Sequence, residues 1–533
     1  MNTSSRTAPL FTRGLLGAFW ILLLTVFFSL RLDTSERTYF QIDDQVVVWL
    51  VDDAVMNNNW QPDWYRPVRQ SDYEKYLAVK NVDADLPHDH HYNFSAHILL
   101  SAAIIKPLRV IGIATPTIVL LHHIALVWDT LSLLFLILAA RQLGGHSLAL
   151  CSAIIYTVFP LAVQGSHYAR PDAFLTAMGS AMLWLSLQKN TWIRWRWLLG
   201  NGLVLGLAIG GKASQLMLGI FPALASVAVL LNPTQRNAKT LATITLDGLV
   251  VLAWITTVLA LMFFIGDMTA RDFFLSVQSV QLYYQNPKPP DTLEHYSYSA
   301  QLLKTLHYFY ATLGWPLLSA FCAGIALLLR DRKFTPLILL AAPPLFFLLY
   351  FSSLPAFFDR SYCPLAAGIV LLAAMGITST INLIPNLPAR YFFIVITTLL
   401  ACWKPAVIQY HLQTDHLREY HNRDKLAFQK QLKQDWSNKT GMDYWFKNID
   451  TKELFSQTLP EKPEKNPRIY IAEDMNDWNS RDYLKKLRDN GFVEITRFDG
   501  DFAGMPTNSL ITVHEAARFV YFIRADEMPG ESQ

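Results

Sequence analysis

Apolar runs of about 17–25 residues recur from near the N-terminus to Tyr410, separated by short polar breaks, and then the pattern stops. A helix of that length crosses a hydrocarbon core of roughly 30 Å. The runs fall at roughly 14–30, 117–139, 148–164, 173–188, 198–210, 215–231, 241–265, 308–329, 334–353, 364–384 and 391–409, which predicts about eleven spanning helices. The first follows Arg6 and Arg13 and has no small-residue cleavage site after it, so it reads as an uncleaved signal anchor.

Two polar intervals are long, about 31–116 and about 266–307. Loops of that length usually carry a function or are disordered. The second holds Tyr283-Tyr-Gln-Asn-Pro-Lys-Pro-Pro290. Inside the first, Ser95–Ile113 is apolar but interrupted by Lys106, Pro107 and Arg109, and it reads as an interfacial helix rather than a span. Residues 410–533 form a separate polar region. Ile469–Ala472, Val493–Phe498 and Leu510–Val513 read as strands, and Ser480–Asn490 as a helix closed by Gly491. The fold class is therefore a polytopic α-helical membrane protein: a transmembrane domain over 1–409 and a small α/β domain over 410–533.

Lys and Arg in the short loops set the orientation. With the N-terminus inside, the inner segments hold Arg6, Arg13, Arg141, Lys189, Arg194, Arg196, Arg236, Lys239, Arg330, Arg332, Lys333 and Arg390. The tight outer hairpins hold one basic residue each, Arg170, Lys212 and Arg360. An odd number of spans then places 410–533 outside. No eukaryotic address is present, which points to a multi-pass protein of a bacterial inner membrane.

Composition supports this picture. Hydrophobic residues make up 52% and charged ones 16%, too few charges for the shell of a soluble protein of this length. A net charge of +3 with no basic stripe excludes nucleic acid as an expected partner. Cys151, Cys322, Cys363 and Cys402 all fall in or beside apolar runs and make no CxxC pair.

Candidate chemistry lies at the outer face. Asp43 and Asp44, in Tyr39-Phe-Gln-Ile-Asp-Asp-Gln45, are suited to activating a hydroxyl: one takes the proton and the other tunes it or orients the acceptor. A solvated acidic loop or a helix N-terminus is the structural alternative. Asp52 and Asp53, a few residues on, are expected to be inert. Arg170 lies in His167-Tyr-Ala-Arg-Pro-Asp172, Lys212 in Gly210-Gly-Lys, and Arg360 in Phe357-Phe-Asp-Arg-Ser-Tyr362. Three cations at one face suit a lipid phosphate, whose growing negative charge fixed cations stabilise. Snorkelling to headgroups, or pairing with Asp172 and Asp359, is the structural alternative.

Three patterns carry less. Gly206-Leu-Ala-Ile-Gly-Gly-Lys212 matches the start of a P-loop, but Ala213 stands where Mg²⁺ needs Ser or Thr, and no strand precedes it. His88, His90, His91 and His97 cluster with Asp85 and Asp89; a divalent metal could bind such a group, but the spacing matches no strong metal template, and solvated or acceptor-contacting histidines, with no metal and no cofactor, are the expectation. The run Trp192-Ile-Arg-Trp-Arg-Trp197 reads as an interfacial aromatic belt with snorkelling arginines.

The motifs in their order resemble the GT-C glycosyltransferases, in particular the group of protein O-mannosyltransferases and aminoarabinose transferases. Asp43-Asp44 is similar to that family's acidic pair, and His91-Tyr-Asn-Phe-Ser95 to the stretch before its interfacial helix. Tyr168–Asp172 resembles its second outer motif, Gly206–Lys212 its helix ending in Gly-Lys, and Arg360-Ser-Tyr362 its late Arg-Tyr motif with Ser361 inserted. The resemblance covers about residues 10–410. It implies a polyprenyl-phosphate-linked sugar as donor and inverting transfer to a hydroxyl of a protein, lipid or glycan. Asp43 would be the base and Asp44 would orient acceptor or sugar. Lys212, Arg360 and Arg170 would neutralise the leaving phosphate, and His91, Asp172 and Tyr362 would line the substrate site, with membrane lipids around it. The rival readings are a transporter or flippase of lipid-linked saccharides, for which Asp129 and Asp247 lie suggestively within or near spans, and a membrane scaffold whose polar tail binds a partner.

Overall fold

The computed structural model describes residues 10–32, 42–60, 96–189, 191–230, 237–266, 273, 277, 297–355, 359–382, 384–414, 469–474, 488–489, 491–498 and 518–524. All the described chain up to Thr414 is helical or connects helices. In order these are α1 (Leu10–Leu32), α2 (Ile42–Met56), α3 (Ala96–Val110), α4 (Thr117–Thr157), α5 (Pro160–Ser166), α6 (Asp172–Leu187), α7 (Arg194–Gly211), α8 (Ile220–Leu230), α9 (Ala238–Ile265), α10 (Tyr298–Arg330), α11 (Phe334–Ser352), α12 (Ala366–Ile381), α13 (Leu387–Ala401) and α14 (Trp403–Thr414). Short 3-10 segments at Ala213–Gly219 and Asp359–Leu365 lead into α8 and α12.

Six helical stretches among the described residues are long and apolar enough to cross a membrane, and a seventh if α13 and α14, bent by 61°, act as one. The chain is thus an integral, multi-pass helical protein. The sequence predicts more spans, and the difference lies in how helices join and end. α4 carries two expected spans in one run, broken where Gly144 and Gly145 leave helical geometry, with Gly145 at φ +73°. That left-handed conformation is cheap only for glycine. The segment Gly17–Leu32 of α1 and the helix α6 are apolar but shorter.

Helix α12 forms the centre, with Val370, Leu371 and Leu372 fully buried, whereas α9 turns Leu246, Leu249 and Leu252 outward, as a lipid-facing helix does. Small residues let the central helices approach. A methyl group at Gly376 of α12 would strike the Ala320 carbonyl of α10, and one at Gly324 of α10 would strike the Leu372 carbonyl of α12. Gly179 of α6 meets Pro364 in the same way.

Two acids inside this bundle, Asp129 and Asp247, are paired. Arg31, at the end of α1, bonds through Nε to the Asp129 carboxylate of α4, both side chains being fully buried. The Tyr156 hydroxyl donates to the same carboxylate at 2.5 Å, and Arg31 Nη1 donates to the Thr157 carbonyl at 3.1 Å. Asp247 of α9 accepts from Arg194 Nε at 2.6 Å and Lys189 Nζ at 3.4 Å. Arg194 is therefore tied to Asp247, where the sequence suggests a snorkelling residue. Trp197 in the same run donates to the Leu185 carbonyl at 2.9 Å.

In the polar tail, three strands form an antiparallel sheet in the order β1-β3-β2: β1 (Ile469–Asp474), β2 (Phe492–Phe498) and β3 (Arg518–Arg524). Two of the predicted strands form. The third, Leu510–Val513, lies outside the described residues, and the central strand is instead Arg518–Arg524. Of the helix predicted over Ser480–Asn490, only 488–489 are described. Gly491 follows at φ +82° and donates its N–H to the Arg488 carbonyl at 3.0 Å, as a helix-closing glycine does.

Candidate active site

The acidic pair sits on a helix, not in a loop. Asp43 and Asp44 occupy the first turn of α2, the end where a helix favours negative charge. Val47, Leu50, Val51, Ala54 and Val55 form one buried stripe at helical spacing. The stripe packs against Ile98, Ala102 and Ile105 of α3, Leu121 and Ile124 of α4, and Ala169. The rotation of α2 is also locked by polar contacts. Thr117 Oγ1 donates to Asp52 at 2.5 Å and accepts from Arg109 Nη2 at 2.9 Å. Arg109 Nη1 further binds the carbonyls of Ile113 and Thr115. Asp53 accepts from the side-chain amides of Asn57 and Asn59 at the end of α2. The two carboxylates expected to be inert are therefore anchors.

The α5–α6 hairpin carries the second motif. Arg170 Nε lies 3.2 Å from Asp172 Oδ2, both side chains about 95% buried, and the guanidinium stacks on the Tyr168 ring at 4.2 Å. This is a packed ion pair, so Arg170 is not an open surface cation. Asp172 opens α6. His97, in the first turn of α3, is also buried. Its Nε2 lies 2.7 Å from the Ala169 carbonyl, which can only accept, so Nε2 carries the proton. Burial holds the imidazole below its usual value, against the pull of the Ala169 bond and of the Asp172 charge.

Lys212 follows the end of α7 and is half-buried. Gly210 and Gly211 bring it in. A side chain at Gly211 would strike the Phe174 ring of α6, and one at Gly210 would meet Met262 and come within 3.4 Å of Ala96 Cβ. The glycines of the apparent P-loop are thus packing glycines on a helix, and the phosphate-loop geometry is absent. On α6, Phe174 touches Gly211 and Gly179 touches Pro364. These contacts are five residues apart, roughly 7.5 Å along the axis. The hairpin, the Gly-Gly-Lys turn and the 3-10 segment holding Arg360 therefore gather around the N-terminal half of one helix.

Arg360 is half-buried. Tyr362 is fully packed, edge-on to Phe309 at 5.4 Å and Phe351 at 5.5 Å, so it anchors the 3-10 segment in the bundle. His91, with His88, His90, Asp85 and Asp89, lies outside the described residues. Among the described residues no group of three metal-ligating side chains occurs. His97 gives its Nε2 proton to the Ala169 carbonyl.

Residues 110–260 match the family described as dolichyl-phosphate-mannose-protein mannosyltransferase. The stretch includes Arg170, Asp172 and Lys212. The resemblance read from the motifs is borne out over it, as a likeness of these residues to that family. No curated protein sequence matches the chain. Among solved structures, ArnT from Cupriavidus metallidurans bound to undecaprenyl phosphate is 12% identical with a TM-score of 0.49, over 73% of this chain and 64% of that one. The apo state of ArnT is 13% identical with a TM-score of 0.47, over 68% and 60%. The archaeal oligosaccharyltransferase AglB from Archaeoglobus fulgidus, in complex with an inhibitory peptide and a dolichol-phosphate, is 11% identical with a TM-score of 0.50, over 86% and 62%. The chain thus spans about three fifths of the length of these proteins, and the likeness to AglB is one of fold.

Proposed function

We propose that this chain transfers a sugar from a polyprenyl-phosphate donor to a hydroxyl acceptor at the outer face of a membrane. The observation that carries the reading is the gathering of the Tyr168–Asp172 hairpin, Gly210-Gly-Lys212 and the Arg360 segment around α6, largely within a stretch kin to lipid-phosphate-sugar transferases. In the reaction, Asp43 takes the acceptor's proton as its oxygen attacks the anomeric carbon from the face opposite the phosphate. The bond from that carbon to the phosphate oxygen breaks, its electron pair stays on the phosphate, and the sugar inverts. Asp44 orients the acceptor or the sugar.

Lys212 and Arg360, both half-exposed, are the cations suited to the leaving phosphate. Arg170 and Asp172, both buried, shape the hairpin beside them. The eleven-span topology belongs to the same proposal. Splitting α4 at Gly145 and adding α1, α6 and α7 to the longer helices gives that number, with the tail of 410–533 outside. The acids that favoured a transporter are both committed to ion pairs, Asp129 with Arg31 and Asp247 with Lys189 and Arg194.

Lys212→Ala and Arg360→Ala test the phosphate role. Each should cost roughly 2–4 kcal/mol of transition-state stabilisation, the range for removing one preorganised partner. Unchanged turnover by stably expressed variants returns both residues to snorkelling.

A further inference from the structure

We infer that His97 is a positioning residue that sets the spacing between the two cationic motifs of the lipid-phosphate site. This rests on the proposed donor class. The first turn of α3 lies between the Arg170 hairpin and the Lys212 turn and holds both through adjacent residues. His97 Nε2–H donates to the Ala169 carbonyl at 2.7 Å, one residue before Arg170. Ala96 backs onto Gly210, two residues before Lys212. The two are joined by Phe174, whose ring lies 6.0 Å from the imidazole and against Gly211, with Trp128 edge-on to it at 5.0 Å.

Ala96, His97, Ala169 and Phe174 are each at most 1% exposed, so none can shift without displacing another. The hairpin side has little other slack. Arg170 is already bound to Asp172 and stacked on Tyr168, so a movement of Ala169 is passed to the whole motif. His97 Nδ1 is buried and has no hydrogen-bond partner among the described residues. A buried polar atom left unsatisfied is costly. An apolar side chain would remove that cost, so the imidazole at this position is explained by the one bond it makes to Ala169.

The test is binding of undecaprenyl phosphate to the full chain in lipid nanodiscs, with thermal stability recorded in parallel. His97→Leu removes the donor. His97→Asn keeps an amide but is too short to reach Ala169, and His97→Gln restores a donor at the position of Nε2. Leu and Asn should each weaken binding about tenfold, the worth of roughly one hydrogen bond's loss of position, while Gln stays within about threefold of wild type. In a Lys212→Ala background the same His97 changes should weaken binding by less than about threefold, because the spacing has lost one of its two ends. If His97→Leu does not fold, the contrast of Asn with Gln decides alone. Wild-type binding with Asn and Gln indistinguishable, or His97 and Lys212 effects that simply multiply, overturns the inference and leaves the donor class standing. Failure of the wild type to bind overturns the donor class, and the inference with it.

Discussion

Asp43 and Asp44 stand one turn before Val47, the first residue of the stripe that fixes α2 to α3, α4 and Ala169. The proposed base, held on an anchored helix, would need little reorganisation to meet its proton, which is how positioned groups gain their rate advantage. Asp43→Asn keeps size and hydrogen bonding but removes the charge that accepts a proton. Turnover should fall by about two to four orders of magnitude, with binding of undecaprenyl phosphate nearly unchanged. An active Asp43→Asn enzyme moves the base to Asp44. Asp52 is unsuitable as a control, because it holds the Thr117 hydroxyl that Arg109 also binds. Asp331, exposed in the turn after α10 between Arg330 and Lys333, serves instead, and Asp331→Asn should leave turnover intact. The sequence shows acids and cations by type, but whether a residue is an anchor or a reactant depends on burial. Arg170 and Tyr362 look like ligands in the sequence and are packed in the structure, and His97, grouped in the sequence with other histidines, is buried against the Ala169 carbonyl.

Among the elements, long apolar helices were the most legible, because a spanning run must be both long and nearly free of charge. The helix α2 was not. Its run Val46-Val-Val-Trp-Leu-Val51 is rich in β-branched residues, which favour strands in isolation. Burial of positions 47, 50, 51, 54 and 55 against α3 and α4 overrides that preference. The helix α3 was legible for a related reason. Its cations rule out a span, and both are used locally, Lys106 on Asn58 at 2.6 Å and Arg109 on Thr117. The central contact of α10 with α12 gives a direct test of element packing. Gly376→Val must push the Ala320 carbonyl away, and overpacking of this kind typically costs about 1–3 kcal/mol. Gly248→Ala on α9 meets nothing within 4 Å and should gain up to about 1 kcal/mol from helix propensity. Thermal unfolding in detergent should therefore lower the midpoint for Gly376→Val and hold or raise it for Gly248→Ala. The opposite order would contradict the close approach of α10 and α12.

At the scale of the whole molecule, sidedness decides whether the chemistry is coherent. The acidic pair, the Arg170 hairpin, Lys212 and Arg360 all belong to segments that the charge bias assigns to one face, and it assigns 410–533 to that face too. A reporter that is active only outside the cytoplasm, fused after Gln533, should be active, and a reporter active only inside should be silent. The strands of the tail were partly legible from their bounded apolar runs, but β3 was not, because Arg518 and Arg524 rather than turn residues bound its run. The tail holds no motif that selects an acceptor, so the acceptor has to be found by its product. Comparing the surface glycans and the lipid extract of cells with the chain, without it, and with Lys212→Ala by mass spectrometry reads product and donor together. One sugar substituent should disappear from the surface without the chain and fall strongly with Lys212→Ala, while the same sugar accumulates on a polyprenyl monophosphate. An unchanged surface, or accumulation of a whole saccharide on a polyprenyl diphosphate, would contradict sugar transfer and favour transport.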